Sequence, residues 1–91
     1  MKKREMFQTL FSNASVKIKR IISPKSFQSR IFVQNCDELV FLLKGSAEME
    51  IGGKKVPLRK NQSLFIPKKT KHQILATSKS TETDWLAIYI K

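Results

Sequence analysis

The sequence predicts an all-β protein: an antiparallel sandwich, jelly roll or small barrel built as one domain. Three observations carry this reading. About seven or eight short, β-branched segments recur at roughly 8–12-residue spacing. Turn residues punctuate them, and no segment of helical length and period separates them. With 91 residues the chain has room for one domain, and at that size its own core is thin. A partner subunit is therefore expected.

Residues 1–15 form an expected N-terminal arm, either irregular or a short amphipathic helix. Met6 and Leu10, with Phe7 and Phe11, sit at helical spacing, and Ser12-Asn13 mark the end. Residues 16–91 form the β domain. Val16 to Lys19 alternates as a half-buried strand should. Ser23-Pro24-Lys25-Ser26 is a turn, and Arg30 to Val33 is a short strand candidate. Glu38 to Lys44 is a nearly continuous apolar run ended by Gly45, which suits a strand buried on both faces. Ser46 to Ile51 alternates, with Ala47, Met49 and Ile51 inward. Gly52-Gly53 is a hairpin signal, because a type I′ turn needs positive φ twice. Lys54 to Leu58 pairs back, and Pro57 confines that strand to an edge or bulge. Asn61 suits a left-handed turn position. Ser63 to Ile66, His72 to Ala76 and Asp84 to Ile90 complete the strands.

The charge balance narrows the function classes. Eighteen Lys and Arg stand against seven Asp and Glu, a formal net charge of +11, which admits anionic partners. One Cys excludes an internal disulfide framework and Cys-rich zinc motifs. No run approaches a membrane span, and the basic start lacks a signal-peptide apolar region, so no membrane partner and a cytoplasmic location are expected. No phosphate-binding glycine loop and no nucleophile elbow is present. Nucleic acid is admitted by net charge alone, with no recognition-helix pattern or base-stacking aromatic text to support it.

The informative stretch runs from Gln34 to His72. Glu38 with Gly45, and Pro67 with His72, resemble the two motifs of the cupin superfamily. Phe32 and Gln34 stand where the first motif has its two His. Asn61 and Lys69 replace glycines of the second, and Ala76 replaces its closing Asn. The text SLFIPKKTKHQI and the closing TDWLAIYI are similar to strands of short, single-domain bacterial cupins. The resemblance covers about residues 16–91. It implies a double-stranded β-helix, or jelly-roll barrel, of the RmlC-like type.

It also implies a site in which Gln34, Glu38 and His72 converge from different strands. As a metal set these would take Zn, Fe, Mn or Ni weakly, because two strong ligands and one amide oxygen fall short of a closed site. Without metal, a buried Glu38 has its pKa raised and can act with His72 as a catalytic acid or base. A hydrogen-bonded core His and a structural ion pair are the competing readings. Phe32 would wall the cavity. Lys68, Lys69 and Lys71 are expected at its mouth as binding residues for a carboxylate or phosphate. Asp37 should point to solvent, Cys36 is expected as an unreactive free thiol, and Trp85 and Tyr89 are expected in core or subunit packing.

The sequence thus reads as a small cupin binding a polar or anionic molecule, with or without a weakly held divalent metal. A metal-dependent isomerase, decarboxylase or oxygenase is the first alternative, and a basic nucleic-acid binder the second. The strands ELVFLLK and DWLAIYI are apolar on both faces, which favours a homodimer.

Overall fold

The computed structural model describes residues 4–91 as eight strands in two antiparallel sheets, with no helix among them. The strands are β1 (Met6–Ser12), β2 (Val16–Ser23), β3 (Asp37–Lys44), β4 (Ser46–Ile51), β5 (Lys54–Arg59), β6 (Ser63–Ile66), β7 (His72–Thr77) and β8 (Thr83–Ile90). One sheet has the order β1-β2-β8-β3-β6 and the other β5-β4-β7. Among the described residues no helix is long and apolar enough to cross a membrane.

Alternation on β3 and β8 builds the core. Val40 and Leu42 pair with Ala87 and Trp85 on the inward face, and Met49, Leu58 and Ile66 meet them from β4, β5 and β6. Leu39, Phe41, Leu86 and Ile88 form the outer face and stay half-buried. Turns follow local chemistry. Gly52 and Gly53 have φ of 55° and 85°, joining Ile51 to Lys54 in register. Gly45 has φ of 91°, and a Cβ there would stand 2.6 Å from Thr83 Oγ1 and 2.9 Å from its Cα, so no side chain fits. Asn61 takes φ of 68° as its type allows. Pro57 is exposed on the edge strand β5.

Three expectations are corrected. The arm is neither helical nor irregular over Met6–Ser12: it is a strand paired with β2. A bulge between Thr9 and Phe11 breaks the two-residue period, which explains why the apolar residues imitate helical spacing. The first three residues of the expected arm lie outside the described ones. Arg30 to Val33 is no strand, since Phe32 makes an isolated bridge to His72 and nothing continues it. The 24–36 segment nevertheless hydrogen-bonds along β7, through Phe27 with Thr77, Ser29 with Ile74 and Phe32 with His72, and covers that sheet edge. Asp37 is half-buried rather than solvent-facing, because its Oδ1 accepts the Lys68 N–H at 2.9 Å.

Candidate functional site

The register places polar inward residues at one end of the sandwich. Glu38 pairs with Tyr89 on β8 and with Ile66 on β6, while His72 opens β7 opposite Ile51. The Phe32–His72 bridge brings Phe32 and Gln34 beside them. Together they line a cavity of about 260 Å³ between the sheets. Its floor is apolar, made by Val40, Trp85 and Ala87, and Glu5, Phe7 and Lys19 reach it from the side of β1 and β2.

The polar corner is rich in unused acceptors. His72 Nδ1 lies 3.1 Å from the Thr70 carbonyl, an arrangement that suits an Nδ1–H donor and leaves Nε2 bare on the neutral ring. That Nε2 lies 3.8 Å from Glu38 Oε1, too far for a hydrogen bond. Glu38 is 6% exposed and His72 7% exposed. Among the described residues, Glu38 Oε1 and Gln34 Oε1 are buried side-chain oxygens with no hydrogen-bond partner. Burial pushes the Glu38 carboxyl up to about 7, against a smaller opposing pull from the charge on Lys19. Burial, followed by the nearby Glu38 charge, raises the Tyr89 phenol to about 12, so it stays a hydroxyl at neutral pH. Farther along β8 from this corner, Trp85 Nε1–H donates to Ser23 Oγ at 2.9 Å, and that hydroxyl donates to Glu5 Oε2 at 2.6 Å. Glu5 too is raised by burial.

Four sequence-predicted residues therefore come together: Phe32, Gln34, Glu38 and His72. Lys68, Lys69 and Lys71 do not join them; all three are exposed and none lines this cavity. Lys69 instead fills a turn at φ of 62° and donates its N–H to the Gln34 carbonyl at 2.6 Å. Cys36 is free and half-buried. Trp85 packs in the core as expected and also borders the cavity, and Tyr89 is a cavity residue.

Sequence reasoning missed Lys19. The alternation of Val16 to Lys19 gives the period but not the side, and the pairing of Ile21 with Trp85 puts Lys19 inward and Ile18 outward. The available signal was the closing strand: its outer face is itself apolar, so the apolar face of β2 belongs beside it.

The metal set implied by the resemblance does not fit a firmly held ion. Glu38 and His72 are the strong donors, and Gln34 adds an amide oxygen. Phe32 occupies one expected His position, with its ring stacked on His72 at 5.9 Å between centroids and 26° between planes. Among the described residues no group of three or more His, Cys, Asp or Glu is arranged to hold a metal. Firm sites use three or four such donors. What the corner offers instead is hydrogen bonding and, from Glu38, a proton available near neutral pH.

Comparison with known proteins agrees with this architecture. No curated protein matches the chain. A proposed mannose-6-phosphate isomerase from Ralstonia eutropha superposes with a TM-score of 0.87 at 30% identity, over 97% of this chain and 85% of that one. A cupin superfamily protein from Desulfitobacterium hafniense gives 0.84 at 20% identity, over 96% and 77%. An RmlC-like cupin from Shewanella frigidimarina gives 0.84 at 15%, over 94% and 75%; at such identities these two speak for the fold alone. Residues 25–89 match the cupin domain family. The chain belongs to that family.

Proposed function

We propose that the protein binds a small polar molecule in the cavity, through Gln34, Glu38 and His72. The observation that carries this is the pair of buried, unpartnered oxygens, Gln34 Oε1 and Glu38 Oε1, beside the bare His72 Nε2. Unpaired buried acceptors cost about 1–3 kcal/mol each, and a ligand hydroxyl or amine would recover that cost. The cavity of about 260 Å³ limits the ligand to a small metabolite, just below the roughly 300–1,000 Å³ of typical ligand pockets. The similarity to a proposed mannose-6-phosphate isomerase is consistent with a hydroxylated ligand.

The chain has one Trp, Trp85, at the cavity floor, so its fluorescence reports occupancy. Titration with small polyols and their acids should move that signal saturably, and Glu38→Leu should abolish the change. A native protein indifferent to all of them would overturn the reading. A divalent ion, where it binds, is held weakly, and elemental analysis after chelator dialysis should find none.

An enzymatic reading rests on a different observation. Glu38, with its pKa near 7 and 3.8 Å from His72 Nε2, is suited to metal-independent proton transfer on a bound hydroxyl compound. Solvent-deuterium exchange into a bound sugar, lost in Glu38→Gln, is the measurement that would establish it.

The same reading takes the chain as a homodimer. The outer face of the large sheet leaves Phe11, Phe65 and Ile90 exposed beside half-buried Leu39, Phe41, Leu86 and Ile88. β1 extends this sheet instead of covering it. A second copy would bury both outer faces together. Sedimentation at moderate salt should give twice the chain mass.

A further inference from the structure

We propose that Lys19 is the anion-recognition residue of the cavity. On this view, which rests on the proposed binding function, the ligand is a small hydroxylated compound bearing a phosphate or carboxylate. Its anionic group lies at Lys19 and its hydroxyls meet Gln34, Glu38 and His72.

Position is the first argument. Lys19 lies on the inward face of β2, directly opposite Ala87 on β8, and Ala87 in turn pairs with Val40 on β3. Strand β8 therefore separates Lys19 from the strand that carries Glu38. Two inter-strand spacings place the backbones of β2 and β3 about 10 Å apart. Between them the floor is Ala87, a methyl group, which leaves the span open to a short carbon chain.

The second argument is the state of the ammonium group. Lys19 Nζ lies 5.5 Å from the Phe7 ring centroid and 5.7 Å from that of Tyr89, so two aromatic rings fix its direction. Among the described residues it makes no hydrogen bond or ion pair, and its attraction to Glu38 acts at longer range than a salt bridge. An ammonium on a half-buried residue, with three unused donors, is a poor structural element and a good anion site.

Electrostatics is the third. Burial raises the pKa of both cavity carboxylates, Glu38 and Glu5, which weakens their opposition to an anion placed beside Lys19. The net charge of +11 on the whole chain draws anions toward it. The exposed Lys68, Lys69 and Lys71 lack all three features, since they lie outside the cavity.

The test is a Trp85 fluorescence and calorimetric titration at mildly acid pH with glucose 6-phosphate, gluconate, glucose and inorganic phosphate. Native protein, Lys19→Met, Lys19→Arg and Lys69→Ala are compared, with Lys19→Gln in reserve should Lys19→Met fail to fold. The native protein should prefer an anionic sugar over glucose, and Lys19→Met should lose that preference by about tenfold or more. Binding of glucose should weaken far less in Lys19→Met than binding of the anionic sugars. Lys19→Arg should restore the anion, and Lys69→Ala should behave as native. Response to glucose 6-phosphate but not gluconate assigns phosphate as the anion, and the reverse assigns carboxylate. Two results overturn the role of Lys19 while leaving the pocket standing: glucose bound as tightly as both anionic sugars, or anion affinity kept in Lys19→Met. No response to any probe overturns the pocket reading, and this inference with it.

Discussion

The two ends of the sandwich share strands and differ in chemistry. On β3 the inward side chains run from Glu38 through Val40 to Leu42, and on β8 from Tyr89 through Ala87 to Trp85. At the closed end Leu42, Thr83 and Ser23 are 0% exposed, and the buried polar side chains described there have partners: Thr83 Oγ1 donates to the Ser46 carbonyl, and Trp85 donates to Ser23. At the open end, burial is nearly as deep but two oxygens lack partners. The difference separates a half whose buried polar groups are paired from a half where two buried oxygens are left unpaired. An unsatisfied carboxylate within reach of a packed core persists in a fold whose other end carries the surplus.

Cutting into the closed end should have the largest effect. Leu42→Ala removes a fully buried side chain and should cost about 2–5 kcal/mol in urea unfolding. For a domain with a total stability of about 5–15 kcal/mol, that is a large share. A loss under about 1 kcal/mol would mean that this end is not the stabilising half.

The open end should reveal itself through pH. The folded-state pKa of Glu38, about 7, lies above its ordinary 4.5, so the folded protein binds the extra proton between these values. Stability should therefore fall as pH rises from about 4.5 through 7, then level off, by about 1–3 kcal/mol. Glu38→Gln should remove most of this slope, and the remainder belongs to Glu5, shifted in the same direction. An unchanged slope in Glu38→Gln would place the titrating group elsewhere.

A smaller effect separates the exposed lysines from both ends. Lys69 holds φ of 62°, a conformation that glycine adopts without strain. Lys69→Gly should stabilise the fold by about 0.5–1 kcal/mol, strain relief exceeding the added chain entropy. Ligand affinity should not change. A tenfold loss of affinity would return these lysines to the site.

How much of this was legible in the sequence follows from the same contrast. Strand periods, the two glycine turns and the spacing of Glu38, Gly45, Pro67 and His72 are local properties, and the structure bears them out. Which side of a strand faces inward depends on its neighbours. The alternation of Val16 to Lys19 leaves open which set faces inward, and the apolar outer face of β8 draws Ile18 outward and leaves Lys19 inward. The apolar residues from Met6 to Phe11 imitate helical spacing for a related reason, since a bulge depends on the partner strand. The partnerless oxygens of Gln34 and Glu38 are likewise a tertiary fact, invisible until three strands and a loop meet.

A crystal structure grown with a small sugar phosphate at millimolar concentration tests the central claim most directly. The account predicts ligand density in the cavity, with hydroxyls within hydrogen-bond reach of Glu38 Oε1 and Gln34 Oε1 and the anion against Lys19 Nζ. Density confined to the exposed surface of Lys68, Lys69 and Lys71, with only water between Glu38 and His72, would contradict it.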